Sequence, residues 1–319
     1  MAEKILVLGA CGQVGTELVE NLQKMYGAAN IIASDIRKSE SPVFQNGNFE
    51  ILNVLDKAQI ANSFGRHKPT IVYHLAALLS ATAEENPKLG WELNMDGTFN
   101  IFDACLEYGV KRIFWPSSIA VFGPTTPDVL TPQSTILEPD TIYGITKLAG
   151  ERYCEYYNAR YGLDVRSIRY PGLIGWKSLP GGGTTDYAVD IFYHALKTGT
   201  YTSFLNENTT LPMMHMDDAV RATLEVTNAP SDKIKLRSSY NIAGVSFNPD
   251  ELAAAIRKYI PNFTLKYAPD SRQKIADSWP DSIDDSVARK DWGWNEKYDL
   301  EKLVANMLEN IQYTNEFEE

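Results

Sequence analysis

The chain is poor in the residues that build disulfide frameworks and metal centres. Its 319 residues include three cysteines, Cys11, Cys105 and Cys154, with no close pair among them. That scarcity argues against a disulfide scaffold and for a reducing, cytoplasmic setting. The four histidines, His67, His74, His194 and His215, form no HExxH or CxxC-type cluster, so no metal is expected. No stretch approaches the roughly 20 apolar residues of a membrane span. Met1-Ala2-Glu3-Lys4-Ile5 has the layout of neither a secretion signal nor a transit peptide. Positive charge is also scarce: 30 Lys and Arg stand against 41 Asp and Glu, a net charge of −11 at pH 7. Nucleic acid and anionic membranes attract basic surfaces, so neither is the expected partner.

What is present is ordinary globular composition, 44% hydrophobic, with enough chain for one large domain and an appended smaller lobe. Short apolar runs at Lys4–Leu8, Ile31–Asp35, Phe49–Val54, Ile71–Ala77, Arg112–Trp115 and Val165–Arg169 read as strands. Between them, Val14, Leu18, Val19 and Leu22 recur at helical spacing. Leu93–Tyr108 and Tyr143–Tyr161 read as longer helices stopped by Gly109 and Gly162. Alternation of this kind predicts right-handed crossovers, hence an α/β fold with a doubly wound parallel sheet. The pattern breaks near residue 172. Helices are expected over Asp186–Thr198, Glu251–Tyr259 and Leu300–Ile311. The expected division is a Rossmann domain over 1–172, rejoined by about 205–245, with a smaller α/β substrate lobe mainly in 173–319.

Gly9-Ala10-Cys11-Gly12-Gln13-Val14-Gly15 joins the first strand to the first helix. Glycines there permit a tight turn and let backbone N–H groups and the positive helix end meet a pyrophosphate. Asp35 closes the second strand about 20 residues further on, the place of a carboxylate that binds adenosine ribose hydroxyls. Asp35 would repel a 2′-phosphate and so favours NAD over NADP, with Arg37 beside it as the one opposing feature.

Tyr143 and Lys147 lie four apart at a helix start and project from one face. A tyrosine ionises near pH 10 and is no base at neutral pH, but an adjacent ammonium favours the phenolate. Upstream, Trp115-Pro116-Ser117-Ser118 ends a strand with hydroxyls at the cofactor-side rim.

On these residues the chain resembles the extended short-chain dehydrogenases/reductases, the branch that holds nucleotide-sugar epimerases and dehydratases. His74-Leu75-Ala76-Ala77, Asn94-Met95-Asp96-Gly97-Thr98 and Arg169-Tyr170-Pro171-Gly172 extend the likeness. The resemblance implies that Tyr143 is the base, Lys147 binds the nicotinamide ribose and Ser118 hydrogen-bonds the reacting oxygen, with Asn94 supporting the site. It further implies an NAD site of Gly9, Gly12, Gln13 and Val14 at the turn, and Asp35, Ile36 and Arg37 after the second strand. Asn53 and Val54, then Leu75, Ala76 and Ala77, and finally Asn94, Tyr143, Lys147 and Tyr170 complete it. Homodimers built through two helices are usual in this branch.

Longer blocks are similar to the short-chain type of L-threonine 3-dehydrogenase: Leu79–Thr82, Pro180–Ala188, Leu211–Met214 and Ile275–Pro280. That likeness implies oxidation of the C3 hydroxyl of L-threonine to 2-amino-3-oxobutanoate, in threonine catabolism. It implies substrate contacts from Ser80, Ser118, Tyr143, Thr184 and Thr185, with Trp279 nearby. Read alone, Ser80 also suits the end of a βα turn, Trp279, Met213 and Met214 suit a core, and His215 a structural hydrogen bond. The slot where sugar-nucleotide enzymes place a diphosphate-clamping arginine falls at Leu211, and the apolar Pro212-Met213-Met214 that follow suit a small substrate with a methyl group. Arg272 is left as a possible anion ligand. Two other readings stand beside this one: a UDP-sugar epimerase or dehydratase, and a non-catalytic NAD-sensing module. Gly181-Gly182-Gly183 permits a hinge, so residues 178–187 are expected to close over the substrate.

Overall fold

The computed structural model describes residues 3–45, 47–177 and 181–313, the side chains of 312 and 313 excepted. Residues 178–180 of the expected hinge loop therefore lie outside the described residues. The N-terminal half runs β1 (Ile5–Leu8), α1 (Gln13–Tyr26), β2 (Ile31–Asp35), β3 (Asn48–Ile51), α2 (Lys57–His67) and β4 (Ile71–His74). It continues through α3 (Ser80–Glu85), α4 (Pro87–Trp91), α5 (Gly97–Glu107), β5 (Arg112–Phe114), β6 (Ser117–Ser118), α6 (Ile142–Tyr161) and β7 (Asp164–Arg166). Next come β8 (Ile168–Tyr170), β9 (Gly172–Ile174), α7 (Tyr187–Lys197), β10 (Thr200–Ser203), β11 (Leu211–His215) and α8 (Met216–Asn228). The rest is β12 (Tyr240–Asn241), β13 (Val245–Phe247), α9 (Pro249–Arg257), β14 (Thr264–Tyr267), α10 (Ser271–Ala276), α11 (Ser286–Trp292) and α12 (Leu300–Tyr313).

Six strands form one sheet in the order β3-β2-β1-β4-β5-β7, every neighbouring pair parallel. This is the doubly wound Rossmann order, with its reversal between β1 and β4, where ligands bind at the carboxyl ends of the strands. The sheet is covered on both faces, as the unbroken apolar runs foretold. In β1, Ile5 and Val7 point to a core shared with Leu18 and Leu22 of α1 and Val220 of α8. Leu6 and Leu8 point the other way, to Phe64 of α2, Phe102 of α5 and Cys154 of α6. The twofold alternation of a strand produces both cores from one tetrapeptide. A third core, under α7, α9 and α12, gathers Phe192, Leu252, Val304 and Met307 with Trp279 and Ile283.

Two local readings change, and a third is decided between core and substrate wall. The segment expected as one strand, Val165–Arg169, is cut at Ser167: β7 pairs with β5, whereas β8 pairs with β6 and β12. The helix expected from Leu93 opens instead with a π-helical turn, Glu92–Asp96, before α5. Leu211–His215 is a fully buried strand between β9 and β13, so Met213 and Met214 are core. None of the five lines the large cavity described below, and the apolar wall expected of them for a substrate methyl is not there. His215 is structural: its Nδ1 accepts the Asp217 N–H at 3.1 Å and its Nε2 meets Asn306 Oδ1 at 3.0 Å. Among the described residues no helix is long and apolar enough to cross a membrane.

Candidate active site

A cavity of about 660 Å³ opens at the carboxyl ends of the parallel strands, from the β1–α1 turn to the first turn of α6. The turn itself is built for a close ligand. Gly9 has φ of +79°, and a Cβ on it would lie 2.6 Å from the Ala76 nitrogen. A Cβ on Gly15 would lie 2.4 Å from the Gly9 carbonyl oxygen, so α1 can start this close to β1 only with glycine there. Gly12, at the N-cap of α1, has no side chain to satisfy the first-turn N–H groups, which leaves the positive helix end open to an anion. Asp35, buried at the end of β2, accepts the Cys11 N–H on Oδ2 (3.0 Å) and the Arg37 N–H on Oδ1 (3.1 Å). Each oxygen keeps lone pairs for ribose hydroxyls. Ile36, Arg37, Asn53, Val54, Leu75, Ala76, Ala77 and Tyr170 line the same cavity, together with Gln13 and Val14. The residues fit a dinucleotide.

At the far end, Ser118, Tyr143 and Lys147 line the cavity with Ser80, Thr184, Thr185 and Trp279. Tyr143 is set in the first turn of α6, whose start is held by Thr141 Oγ1 accepting the Gly144 N–H (3.0 Å) and Glu84 Oε1 accepting the Ile142 N–H (2.6 Å). Ser118 ends β6 and its Oγ accepts the Ala120 N–H at 3.2 Å. Ser80 and Thr184 bring their hydroxyls within 3.4 Å across the cavity wall.

The electrostatics depart from the expected pairing. Burial pushes the Tyr143 phenol up to about 12, with the Ser118 hydroxyl pulling against it. Lys147 does not reverse this. Its ammonium donates to the Pro116 carbonyl at 2.7 Å and sits 5.5 Å from the Tyr143 ring centroid and 4.6 Å from that of Trp115. Its own proton is weakly held, with burial lowering the amine to about 8 against the attraction of Glu151. Desolvation outweighs the attraction on which the sequence argument relied.

Of the residues expected at the cofactor, Asn94 alone does not line the cavity. Its Oδ1 accepts the Leu78 N–H at 2.7 Å, and its Nδ2 donates to the Leu78 carbonyl (3.1 Å) and Thr146 Oγ1 (3.2 Å). It clamps the loop after β4 to α6, and the wide π turn is what presents it there. Arg272, the possible anion ligand, is turned away: it pairs with Asp270 and stacks on Phe204, 3.1 Å from the ring centroid.

Sequence reasoning missed the ion pair behind the site. Glu151, one turn beyond Lys147, accepts from Arg169 through both oxygens (each 2.8 Å) and from the Ser117 hydroxyl (2.6 Å). Arg169 also donates to Asn241 Oδ1 at 2.9 Å. All four are buried. Only their charges hinted at this, because contacts 18, 34 and 72 residues apart leave no periodic trace. Arg169→Met strands the Glu151 carboxylate and should lower unfolding free energy by about 3–5 kcal/mol in urea titrations; a loss under ~1 kcal/mol would contradict this account. Asp35→Ser should narrow the preference for NAD over NADP in dissociation constants from fluorescence titration, and an unchanged ratio removes that role from Asp35.

Residues 5–243 match the NAD dependent epimerase/dehydratase family. An uncharacterized epimerase/dehydratase of Staphylococcus aureus is 49% identical over 313 residues, covering 97% of each chain. A solved partial-consensus L-threonine 3-dehydrogenase is 55% identical with a TM-score of 0.95, over 97% of this chain and 99% of that one. A solved L-threonine dehydrogenase from Cupriavidus necator, in its holo form, is 54% identical with a TM-score of 0.94 over the same shares. These likenesses extend over almost the whole chain, the Rossmann sheet and the residues of the cavity included. The protein belongs to the NAD dependent epimerase/dehydratase family and is an oxidoreductase that uses a nicotinamide cofactor.

Proposed function

We propose that the protein oxidises the C3 hydroxyl of L-threonine to 2-amino-3-oxobutanoate with NAD, the first step of threonine breakdown. The observation that supports this most is the meeting of Ser118, Tyr143 and Lys147 with Ser80, Thr184 and Thr185 in one cavity. Relatives described as L-threonine dehydrogenases match nearly the full chain. Among the described residues only Arg37 and Lys147 bring positive charge to the cavity. A nucleotide-sugar substrate would need further cations for its own diphosphate, so that reading has less support.

Asp35 would hold the adenosine ribose, the glycine turn the pyrophosphate and Lys147 the nicotinamide ribose. A nicotinamide held there would supply the acceptor for the hydride that leaves C3. Tyr143, as phenolate, takes the hydroxyl proton, and Ser118 holds the reacting oxygen in place. Lys147 orients the ribose and adds positive charge near the ring of the base. A Tyr143 proton held more tightly than usual means the reactive phenolate becomes more abundant as pH rises.

We also assign a homodimeric state, supported by Ile145 and Tyr156 of α6 and by Trp91 of α4, which are 42%, 50% and 44% exposed. Light scattering should give the mass of two chains, and a single-chain mass would remove the assignment.

The direct test is NADH formation from NAD and L-threonine, with D-threonine, L-serine and UDP-sugars as controls. Tyr143→Phe should lower kcat by a factor of 10³ or more while NAD affinity stays within about threefold. For the unaltered protein, kcat/KM should climb from pH 6 to 8 and bend over above 8 as Lys147 loses its proton. A flat profile would remove Tyr143 as the titrating base.

A further inference from the structure

The charges lining the cavity divide between its two ends. Among the described residues they are Asp35 and Arg37 beside the glycine turn, and Lys147 and Asp186 at the end that holds Tyr143, Ser80 and Thr184. The sequence placed Asp186 at the start of an expected helix and gave it no role at the site. It sits at the start of α7, directly after Thr184 and Thr185, and is 8% exposed. Its Oδ2 accepts the N–H groups of Gly182 (2.8 Å) and Gly183 (2.7 Å). Among the described residues its Oδ1 accepts no hydrogen bond, and no lysine or arginine nitrogen comes within 4.0 Å of the carboxylate.

An anion in that position is poorly compensated. Asp190, one turn along α7, adds like charge, and burial raises the Asp186 carboxyl above its ordinary range despite the two N–H bonds. Arg272, the cation whose field reaches it, is committed to Asp270 and the Phe204 ring. A buried carboxylate without a cation is costly, and the cost is recovered when a ligand brings one. A ligand carboxylate would be repelled here and is better served by the hydroxyls of Ser80, Thr184 and Thr185.

We propose that Asp186 seats the substrate's ammonium group, and so makes the site select a 2-amino alcohol over the corresponding hydroxy acid. The inference rests on the threonine reading of the same site. It divides the amino acid between two groups of the wall: ammonium to Asp186, carboxylate to the hydroxyls, with the C3 alcohol left for Tyr143 and Ser118.

The test compares Asp186→Asn with the unaltered protein, because asparagine keeps an oxygen for the Gly182 and Gly183 N–H groups and removes only the charge. KM should be measured for L-threonine and for (R)-3-hydroxybutanoate, which has the same C3 alcohol and carboxylate without the ammonium. In Asp186→Asn, KM for L-threonine should rise about 30-fold or more with kcat within a few-fold, as when one member of a desolvated charge pair is truncated. KM for (R)-3-hydroxybutanoate should rise far less, so the preference for threonine collapses. An unchanged threonine KM would show that Asp186 only ties down the glycine turn, and would overturn the proposal. Should the variant not fold, inhibition of the unaltered protein decides: (R)-3-hydroxybutanoate competing as tightly as L-threonine binds would equally overturn it. Absence of threonine turnover in the unaltered protein is a different result, which refutes the threonine reading and this inference with it.

Discussion

The site depends on one buried ion pair. Arg169 on β8 and Glu151 on α6 meet in two 2.8 Å bonds, and Ser117 on β6 adds a third partner to the carboxylate. Each member is next to, or one helical turn from, a group that faces the cavity: Ser117 beside Ser118, Glu151 one turn after Lys147, Arg169 before Tyr170. A charge pair removed from water tolerates little misalignment, since any displacement leaves an ion buried without its partner. Strand end, helix and second sheet are thereby held in a single register. Asn94 does the same from the other side, fastening the loop after β4 to Thr146 of the same helix.

Around this frame the cavity keeps its charges sparse and mostly satisfied. Asp35 takes two backbone N–H groups, Lys147 donates a hydrogen bond to a carbonyl, and Asp186 accepts two N–H groups on one oxygen while the other takes none among the described residues. Backbone groups can stabilise an ion without neutralising it. The walls therefore retain a field that a ligand of opposite charge completes, and this distinguishes a binding cavity from a structural ion pair such as Glu151–Arg169. The same burial that makes the field strong also makes Tyr143 a reluctant acid, so its readiness as a base depends on what shares the cavity with it.

The sheet and the cofactor end of the site were legible because their signals are local. An apolar run is a strand whatever surrounds it, a glycine at a βα turn has one geometric purpose, and an acid closing β2 faces that turn. Every expected residue but Asn94 lines the cavity for this reason. The substrate end was less legible. Met213 and Met214 suited either a core or a wall for a methyl group, and Leu211–Met214 is the buried centre of a three-stranded sheet. Arg272 looked available and is spent on Asp270. Lys147 looked positioned to ionise Tyr143, and its ammonium lies over the ring instead.

The residues themselves determined an α/β chain, a glycine turn faced by the acid that closes β2, and a Tyr-Lys pair on one helical face, because each rests on spacings within about 20 residues. The folded chain alone decided that Ser167 divides two sheets, that a π turn carries Asn94, and that Glu151 and Arg169 form the brace behind the site. It alone placed Asp186 at the same cavity as Tyr143. These depend on desolvation and on contacts between distant segments, whose energies exist only once the chain has closed around them.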